Sequence, residues 1–342
     1  VTPEDVVFTL KALKDRHPFY GHYYKNVEKV EKTGDREVTF TFDTKNNREL
    51  PMIVGELTVL PKHYWTGKDA NGNPRDIGKT TLEPPLGSGP YRITDVQAGR
   101  SVTLERFKDY WAKDLPVKKG QDNFDEITYE YFRDTTVAFE AFKADRLDFY
   151  RDSSAKNWAT GYDIAAVKKG WIKRENVELE RGQPMQAFVF NTRLDKFKDP
   201  RVRRAFNYAF DFEWANKNLF YGQYKRTSSY FQNSELASSG LPEGRELEIL
   251  QELKDEIPPE VFTTPYTNPK TDGSGNNRKD LREASKLLKQ AGWDVKDGKR
   301  VNVKTGEQLN ANFLLVSPQF ERIVQPFARN LERLGIEVSL RV

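Results

Sequence analysis

Residues 311–342 read ANFLLVSPQFERIVQPFARNLERLGIEVSLRV, and this stretch decides the fold class. Residues 311–316 predict a strand, residues 319–334 a helix, and residues 336–342 a second strand. Strand, helix and strand in succession are typical of an α/β protein. We therefore expect helix and strand to alternate through the second half of the chain.

The residues before this stretch predict further helices and two more strands. Gly292 follows the last of these helices, at a position where glycine commonly ends a helix. An apolar strand at 185–192 leads into a polar segment at 196–200, so we place the join between two lobes near residues 188–192. The helices are predicted at 199–209, 213–221, 245–254 and 279–291, and the strands at 172–180 and 185–192.

The first half of the chain is richer in predicted strands. Thr2-Pro-Glu-Asp5 is a helix start, because threonine caps, proline suits the first turn and the acids favour its positive end. Val38, Phe40 and Phe42 alternate with polar residues, the period of a half-buried strand. Two hairpins (27–33 with 36–43, and 91–97 with 101–107), a strand at 124–132 and a helix at 135–145 are predicted.

Length and composition limit the possible functions. The chain has 342 residues, more than one core usually serves, so we expect two lobes. Its net charge of +4 comes from 55 basic and 51 acidic residues in interspersed positions, so we do not expect it to bind nucleic acid. There is no cysteine, which rules out disulfides, thiolate metal sites and a cysteine nucleophile. No apolar run approaches the roughly 18 residues of a membrane span.

Residue types that support catalysis or metal binding do not form a recognisable pattern. The three histidines, His17, His22 and His63, lack the spacing of zinc ligands, so we expect no metal or other cofactor. Acidic pairs are frequent, but with 51 acids they arise by chance, and we assign no catalytic residue. At Gly87-Ser-Gly89 no helix follows, so a nucleophile elbow or phosphate loop is excluded, and we predict a tight turn with unusual glycine backbone angles.

Aromatic clusters are the strongest sign of a binding surface. In FYGHYY at residues 19–24, consecutive rings cannot all face one core, because neighbouring side chains diverge. A packed loop and a ligand-binding wall explain this cluster equally well. The segment WATGY at 158–162 is a weaker case of the same kind.

Several segments together resemble the family 5 solute-binding proteins of ABC importers, the class that includes dipeptide and oligopeptide binders. They keep the family's order along nearly the whole chain, although the family more often has threonine where Ser88 stands. The segments are TPEDVVFTL at 2–10, GSGPYR at 87–92 with DYW at 109–111, FNT at 190–192, DPRVRRA at 199–205 and ASKLLKQAG at 284–292. WATGYD at 158–163, LFYG at 219–222 and RTSSYF at 226–231 are similar to the YejA subgroup, which serves importers of oligopeptides and of the peptide-nucleotide antibiotic microcin C.

The resemblance implies an α/β, two-lobed periplasmic binding protein of type II (cluster C-like), present here as a segment truncated at both ends. Residues 1–187 would form part of a strand-rich lobe I and residues 188–342 part of an α/β lobe II. Phe190 and Asn191 would lie in the hinge, with Asn191 bonding local backbone and not ligand. The charged groups that hold a peptide's two termini in this family would lie beyond Val342.

The resemblance also implies a function and partners. The protein would be a periplasmic monomer that captures an oligopeptide or peptide-like solute by hinge closure and delivers it to the membrane permease subunits of an ABC importer. Tyr20, Tyr23 and Tyr24, with Trp158 and Tyr162, would line the ligand site. An oligosaccharide or opine-like solute on the same scaffold remains an alternative, since aromatic walls suit sugars equally, and a hydrolase is the third.

Overall fold

A computed structural model describes residues 1–342, which divide into two compact units, Val1–Tyr150 and Arg151–Val342. None of the helices combines the length and the apolar character needed to cross a bilayer. The lobe boundary near residues 188–192 stays a prediction, because a hinge is defined by the difference between two conformations.

The first unit mixes short helices with two small sheets. Its elements are α1 (Pro3–Arg16), α2 (Pro18–Tyr23), β1 (Val27–Gly34), β2 (Glu37–Phe42), α3 (Leu50–Gly55), α4 (Lys62–Trp65), β3 (Tyr91–Gln97), β4 (Ser101–Arg106), β5 (Glu126–Glu130) and α5 (Thr135–Lys143). Strands β1 and β2 form an antiparallel hairpin, and β3, β4 and β5 form an antiparallel sheet in that order. Both predicted hairpins, the strand and the helix that follow are confirmed.

The predicted start of α1 is confirmed in detail. The Thr2 hydroxyl accepts a hydrogen bond from the Asp5 N–H at 3.4 Å, and the Asp5 carboxylate accepts from the Thr2 N–H at 2.7 Å. This reciprocal capping box satisfies two N–H groups that a helix end leaves without partners, and a cap of this kind contributes about 1 kcal/mol. Asp5 also accepts from the Lys62 N–H at 2.8 Å, so the cap anchors the start of α4 as well.

The second unit carries the larger core. Its elements are α6 (Ala165–Lys168), α7 (Asp195–Lys198), α8 (Pro200–Ala209), α9 (Phe212–Asn218), α10 (Gly244–Glu252), α11 (Arg278–Gln290), β6 (Trp293–Lys296), β7 (Lys299–Asn302), β8 (Asn310–Leu314), α12 (Glu321–Arg333) and β9 (Glu337–Arg341). Strands β8 and β9 pair in parallel with α12 between them in the chain, which confirms the strand–helix–strand prediction. The four helices predicted between residues 199 and 291 are confirmed as α8, α9, α10 and α11, and Gly292 has the left-handed φ of +84° expected of a residue that ends a helix.

Helices α8, α11 and α12 pack their apolar faces into one core with β8. Phe206, Leu288 and Leu331, one from each helix, are at most 2% exposed. Arg300 lies at the edge of this core and is 2% exposed. Its guanidinium donates to the carbonyl oxygens of Leu334 (2.9 Å) and Trp293 (3.3 Å) and to the Ser285 hydroxyl (2.9 Å), so it connects α11, α12 and the β6–β7 hairpin.

The two strands predicted at 172–180 and 185–192 are wrong. Residues 173–191 form neither helix nor strand, and Val177 and Val189 are 68% and 91% exposed. Alternating apolar residues form a strand only where a neighbouring strand completes the hydrogen-bond ladder. Here the segment makes scattered contacts instead, such as the Gln183 N–H to the Gln232 carbonyl at 2.8 Å.

The tight turn predicted at Gly87-Ser-Gly89 is also wrong in its backbone angles. Neither glycine has a positive φ, and a Cβ added at either would meet no atom within 4 Å. The segment is held through its backbone, because the Trp111 indole N–H donates to the Ser88 carbonyl at 3.1 Å.

Candidate functional site

Helix α2 and the residue that ends it bring Tyr20, Tyr23 and Tyr24 together. His17 ends α1 and caps α2, Pro18 occupies the first turn, and residues three and four apart on a helix lie on the same side. Tyr20 therefore meets both later tyrosines: its ring centroid lies 6.5 Å from that of Tyr23 and 5.7 Å from that of Tyr24, the latter pair stacked at 17°. The three predicted residues come together.

Gly21 lets this helix approach α1 closely. A Cβ at Gly21 would lie 3.0 Å from the Lys14 carbonyl oxygen, so a larger residue would push α2 away from α1. The rings diverge as predicted for consecutive aromatics. Phe19 is 63% exposed, whereas Tyr24 is 2% exposed and belongs to the apolar cluster with Leu10.

A cavity of about 210 Å³ opens beside these rings. Its walls are two phenol rings, one carboxylate, one hydroxyl and two leucines, contributed by Leu13, Tyr20, Tyr24, Glu56, Thr58 and Leu60. We call it the tyrosine pocket. Aromatic faces with a few polar groups are typical of small-molecule sites.

Residues 56–60, which form one wall of the tyrosine pocket, are held against α1 by hydrogen bonds. Thr9 is fully buried; its hydroxyl donates to the Asp5 carbonyl at 2.6 Å and accepts from the Leu60 N–H at 2.7 Å. These bonds hold the residues from Glu56 to Leu60 alongside α1 and α2. Sequence reasoning missed Glu56, Thr58 and Leu60, because contacts across about fifty residues leave no local signal.

The electrostatics of the pocket centre on Glu56. The Tyr23 hydroxyl donates to Glu56 Oε2 at 3.0 Å, and this hydrogen bond is the largest of the effects that raise the pKa of Tyr23. Burial, followed by the neighbouring phenols and Glu56, raises the pKa of Tyr24. Both phenols therefore stay neutral at physiological pH, and Glu56 is the one charged side chain among the residues that line the cavity.

The predicted pair Trp158 and Tyr162 also comes together, in the second unit. Both lie on or directly after a π-helical turn at Asn157–Gly161, with ring centroids 5.7 Å apart. Tyr162 is 5% exposed and donates to Asp152 Oδ2 at 3.0 Å. The Arg174 guanidinium lies 4.2 Å from the Trp158 centroid and 4.8 Å from that of Tyr162, so a cation of the protein itself already covers these rings.

The two predicted hinge residues differ in their surroundings. Phe190 packs against Phe197 and Phe206, at centroid distances of 5.1 and 5.3 Å, at the edge of the second core. Asn191 is exposed, and its side-chain oxygen accepts from the Arg193 N–H at 3.2 Å. The expectation that Asn191 bonds local backbone is confirmed.

A broader, shallow depression of about 530 Å³ lies on the second unit beside α9. It is lined by Glu213, Asn216, Lys217, Tyr221 and Gly222. Because it is open to solvent, it would bury little of a ligand's surface, whereas binding sites usually bury most of it. No group of three or more His, Cys, Asp or Glu side chains is arranged to hold a metal ion.

Comparisons with known proteins place this geometry in a family. The model for bacterial extracellular solute-binding proteins, family 5 middle, matches residues 1–342. The chain is 52% identical over 344 residues to the "Probable peptide-binding protein YejA" of Agrobacterium fabrum and 40% identical over 351 residues to the "Peptidoglycan-binding protein YepA" of the same organism. Each match covers 100% of this chain but 56% of the relative, so the chain spans little more than half the length of these proteins.

The fold is similar to that of solved binding proteins. The oligopeptide-binding protein AppA of Bacillus subtilis, solved in complex with a nonapeptide, matches with a TM-score of 0.65 at 21% identity. That match covers 100% of this chain and 59% of AppA. The predicted fold class and the resemblance to family 5 and its YejA members are confirmed.

Proposed function

Because this chain belongs to the family 5 bacterial extracellular solute-binding proteins, we propose that the whole protein captures oligopeptides in the periplasm for an ABC importer. The observation that carries this proposal is the 52% identity, over the whole of this chain, to a relative named as a probable peptide-binding protein. The membrane permease subunits of the importer would be its protein partners. The protein would release its ligand unchanged, without catalysis or a cofactor, as expected of a family of binding proteins.

The tyrosine pocket supports this proposal from the geometry. An oligopeptide presents varied side chains on a constant backbone, and phenol rings accept apolar and polar groups alike. Tyr20, Tyr23 and Tyr24 would line the ligand site. Each would contact the ligand directly or support a neighbouring tyrosine ring that does so. Trp158 would contribute a second aromatic contact from its own unit, with the buried Tyr162 packed against it.

The hinge near residues 188–192 belongs to the same proposal. Within this chain residues 173–191 belong to no helix or sheet, and such irregular segments can absorb the changes in dihedral angles of a hinge. Phe190 would remain anchored to the second core while Asn191 and its neighbours change dihedral angles. A ligand that shifts the protein almost completely from open to closed must bind the closed state about 5.5 kcal/mol more tightly.

A glycan-containing ligand is the second candidate. The observation that favours it is the 40% identical relative named as a peptidoglycan-binding protein, whose name joins sugar and peptide in one ligand. Aromatic faces pack against sugar rings as readily as against peptide side chains. In this alternative the tyrosine pocket would hold the same position in the site with a different occupant.

Titration calorimetry of the full-length protein separates the two candidates. Mixed tri- to hexapeptides are titrated first, followed by a peptide-free oligosaccharide and then a muropeptide. We expect saturable heat with the peptides and none with the oligosaccharide. Heat with the muropeptide or the oligosaccharide, and none with any free peptide, would replace the first candidate by the second.

A further inference from the structure

We infer that the tyrosine pocket selects a positively charged group of the ligand, an ammonium or a guanidinium, and that Glu56 is the residue that selects it. This inference rests on the proposed function, because it names the class of ligand that the peptide site prefers.

The wall of the tyrosine pocket carries a negative charge and no positive one. Of the six residues that line the cavity, Glu56 is charged, and none is lysine, arginine or histidine. Its other polar groups are the phenols of Tyr20 and Tyr24 and the hydroxyl of Thr58. A cavity with one negative charge beside tyrosine rings favours a cation, because the face of an aromatic ring is also negative.

The cavity is too small to enclose a whole oligopeptide. A volume of about 210 Å³ is below the roughly 300–1,000 Å³ of pockets that enclose whole small ligands. The tyrosine pocket therefore suits a single side chain of an oligopeptide. Lysine and arginine also carry apolar stems, which the leucines at positions 13 and 60 and the stacked rings can cover.

The Glu56 carboxylate is held in a defined position at the pocket. Glu56 directly follows α3, and its backbone N–H donates to the Met52 carbonyl at 3.0 Å, so its position is fixed by the helix end. The Tyr23 hydroxyl, which does not line the cavity, donates to Oε2 at 3.0 Å. Oε1 receives no hydrogen bond from the protein and can accept one from a ligand. Tyr23 is thus a positioning residue for a carboxylate that is held in place with one oxygen available.

The magnitude of the expected preference follows from the two interactions. A charge-assisted hydrogen bond and a cation over aromatic faces, both partly exposed, together favour the cation by about tenfold in Kd over a neutral group of the same shape. A negatively charged side chain at the same place would be disfavoured by a similar factor, because it would lie beside the Glu56 carboxylate.

The test compares lysine with its neutral isostere. The full-length protein is titrated with tetraalanine-based peptides that carry lysine, norleucine or glutamate at each position in turn. Each peptide is used with a free and with an acetylated amino terminus, which separates a side-chain cation from the terminal ammonium. We expect the peptide with lysine at one position to bind about tenfold more tightly than its norleucine counterpart, with the amino terminus free or acetylated.

Two matched variants assign the preference to its residue. Glu56→Gln keeps an acceptor for the Tyr23 hydroxyl and should retain the fold, which an unchanged urea midpoint verifies. It should reduce the roughly tenfold difference in Kd between the lysine and the norleucine peptides to less than about twofold. Glu49→Gln removes a nearby carboxylate that does not line the cavity, and it should leave the preference intact.

The outcomes distinguish the two proposals. Binding of peptides without a charge preference, or a preference that survives Glu56→Gln, would overturn this inference and leave the peptide function standing. Binding of no peptide in the set would overturn the peptide function and the inference together.

Discussion

The cores of the two units use aromatic residues in opposite ways. In the second unit sixteen buried residues form one core, and phenylalanines such as Phe206 and Phe327 meet ring to ring, with centroids 6.4 Å apart. In the first unit the cluster around α2 has four buried residues, and its rings are mostly tyrosines. Tyr20 and Tyr24 stack at the edge of a cavity in which Leu13 and Leu60 are also accessible.

This difference separates stability from recognition. Apolar burial stabilises by about 25 cal/mol per Å², so the second core carries more of the free energy of unfolding. A cavity forfeits part of that stabilisation, because the side chains around it lose contacts. Where the chain retains a cavity lined with phenols and a carboxylate, the groups present are suited to contact a solute.

The largest expected effect comes from removing a side chain of the second core. Leu331→Ala empties space at a fully buried position and should lower the free energy of unfolding by about 3 kcal/mol. Urea unfolding of the full-length protein measures this change. Leu314→Ala is the control, because Leu314 is 67% exposed and should lose less than about 0.5 kcal/mol. Equal losses would show that the second core does not dominate stability.

Arg300→Met should give a smaller loss in the same region. Methionine fills much of the volume but leaves the carbonyls of Leu334 and Trp293 without the guanidinium that they accept from. Unsatisfied buried groups cost about 1–3 kcal/mol, so we expect a loss near 2 kcal/mol in urea unfolding. Burial lowers the pKa of Arg300, so part of the cost of the charge is already present in the wild type. A variant as stable as the wild type would mean that these hydrogen bonds contribute no net stability.

Tyr20→Ala tests the recognition side of the comparison. It removes a wall of the tyrosine pocket and one partner of four ring pairs, so peptide affinity should fall about tenfold, or about 1.4 kcal/mol. The free energy of unfolding should change less than in Leu331→Ala. Phe19→Ala is the control on the same helix: its ring packs against Tyr20 and Tyr23 but is 63% exposed and does not line the cavity, so the affinity should fall less than in Tyr20→Ala. Equal losses of affinity in the two variants, or no loss in either, would remove the pocket from the proposed site.

The smallest expected effect is a pH dependence at the start of α1. The hydrogen bond from Lys32 lowers the pKa of Glu4 from its usual 4.5 to about 2. Burial alone would raise the pKa of Asp5, but backbone hydrogen bonds from Lys62 and Thr2 outweigh it and lower the pKa. A carboxylate with a lowered folded-state pKa contributes stability above its unfolded pKa and loses that contribution as the pH falls through its folded pKa.

Unfolding free energies measured between pH 5 and pH 2 test this dependence. The wild type should lose stability more steeply than Glu4→Gln across that window. Glu283→Gln is the control, because its carboxylate lies in α11 and pairs loosely with Lys286 at 3.8 Å. A slope in Glu4→Gln as steep as in the wild type would show that the Lys32 contact is not maintained in solution.

Local features of the fold could be predicted from the sequence. The cap at Thr2 depends on Asp5, three positions away, and the alternation in β2 depends on residues two apart, such as Val38 and Phe40. The strand–helix–strand order near the end of the chain is equally local, because each element shows its own period. These features follow from neighbouring side chains alone, and the structure confirms them.

Features that depend on distant partners could not be predicted in the same way. Residues 172–192 have the composition of strands, but no strand of this chain completes a ladder with them. The aromatic half of the tyrosine pocket was predicted, since Tyr20 and Tyr24 lie in one short segment. Its charged half was missed, because Glu56 lies in a separate segment of the chain and meets the tyrosines only after folding.

Hydrogen exchange of the full-length protein, with and without a saturating peptide, tests the division between recognition and stability most directly. We predict that the peptide slows exchange at residues 18–24 and 55–60, which surround the tyrosine pocket. Helix α12 and strand β9 should exchange slowly in both states, because the second core already protects them. Unchanged exchange at both pocket segments, with protection by the peptide confined to α12 and β9, would contradict the account.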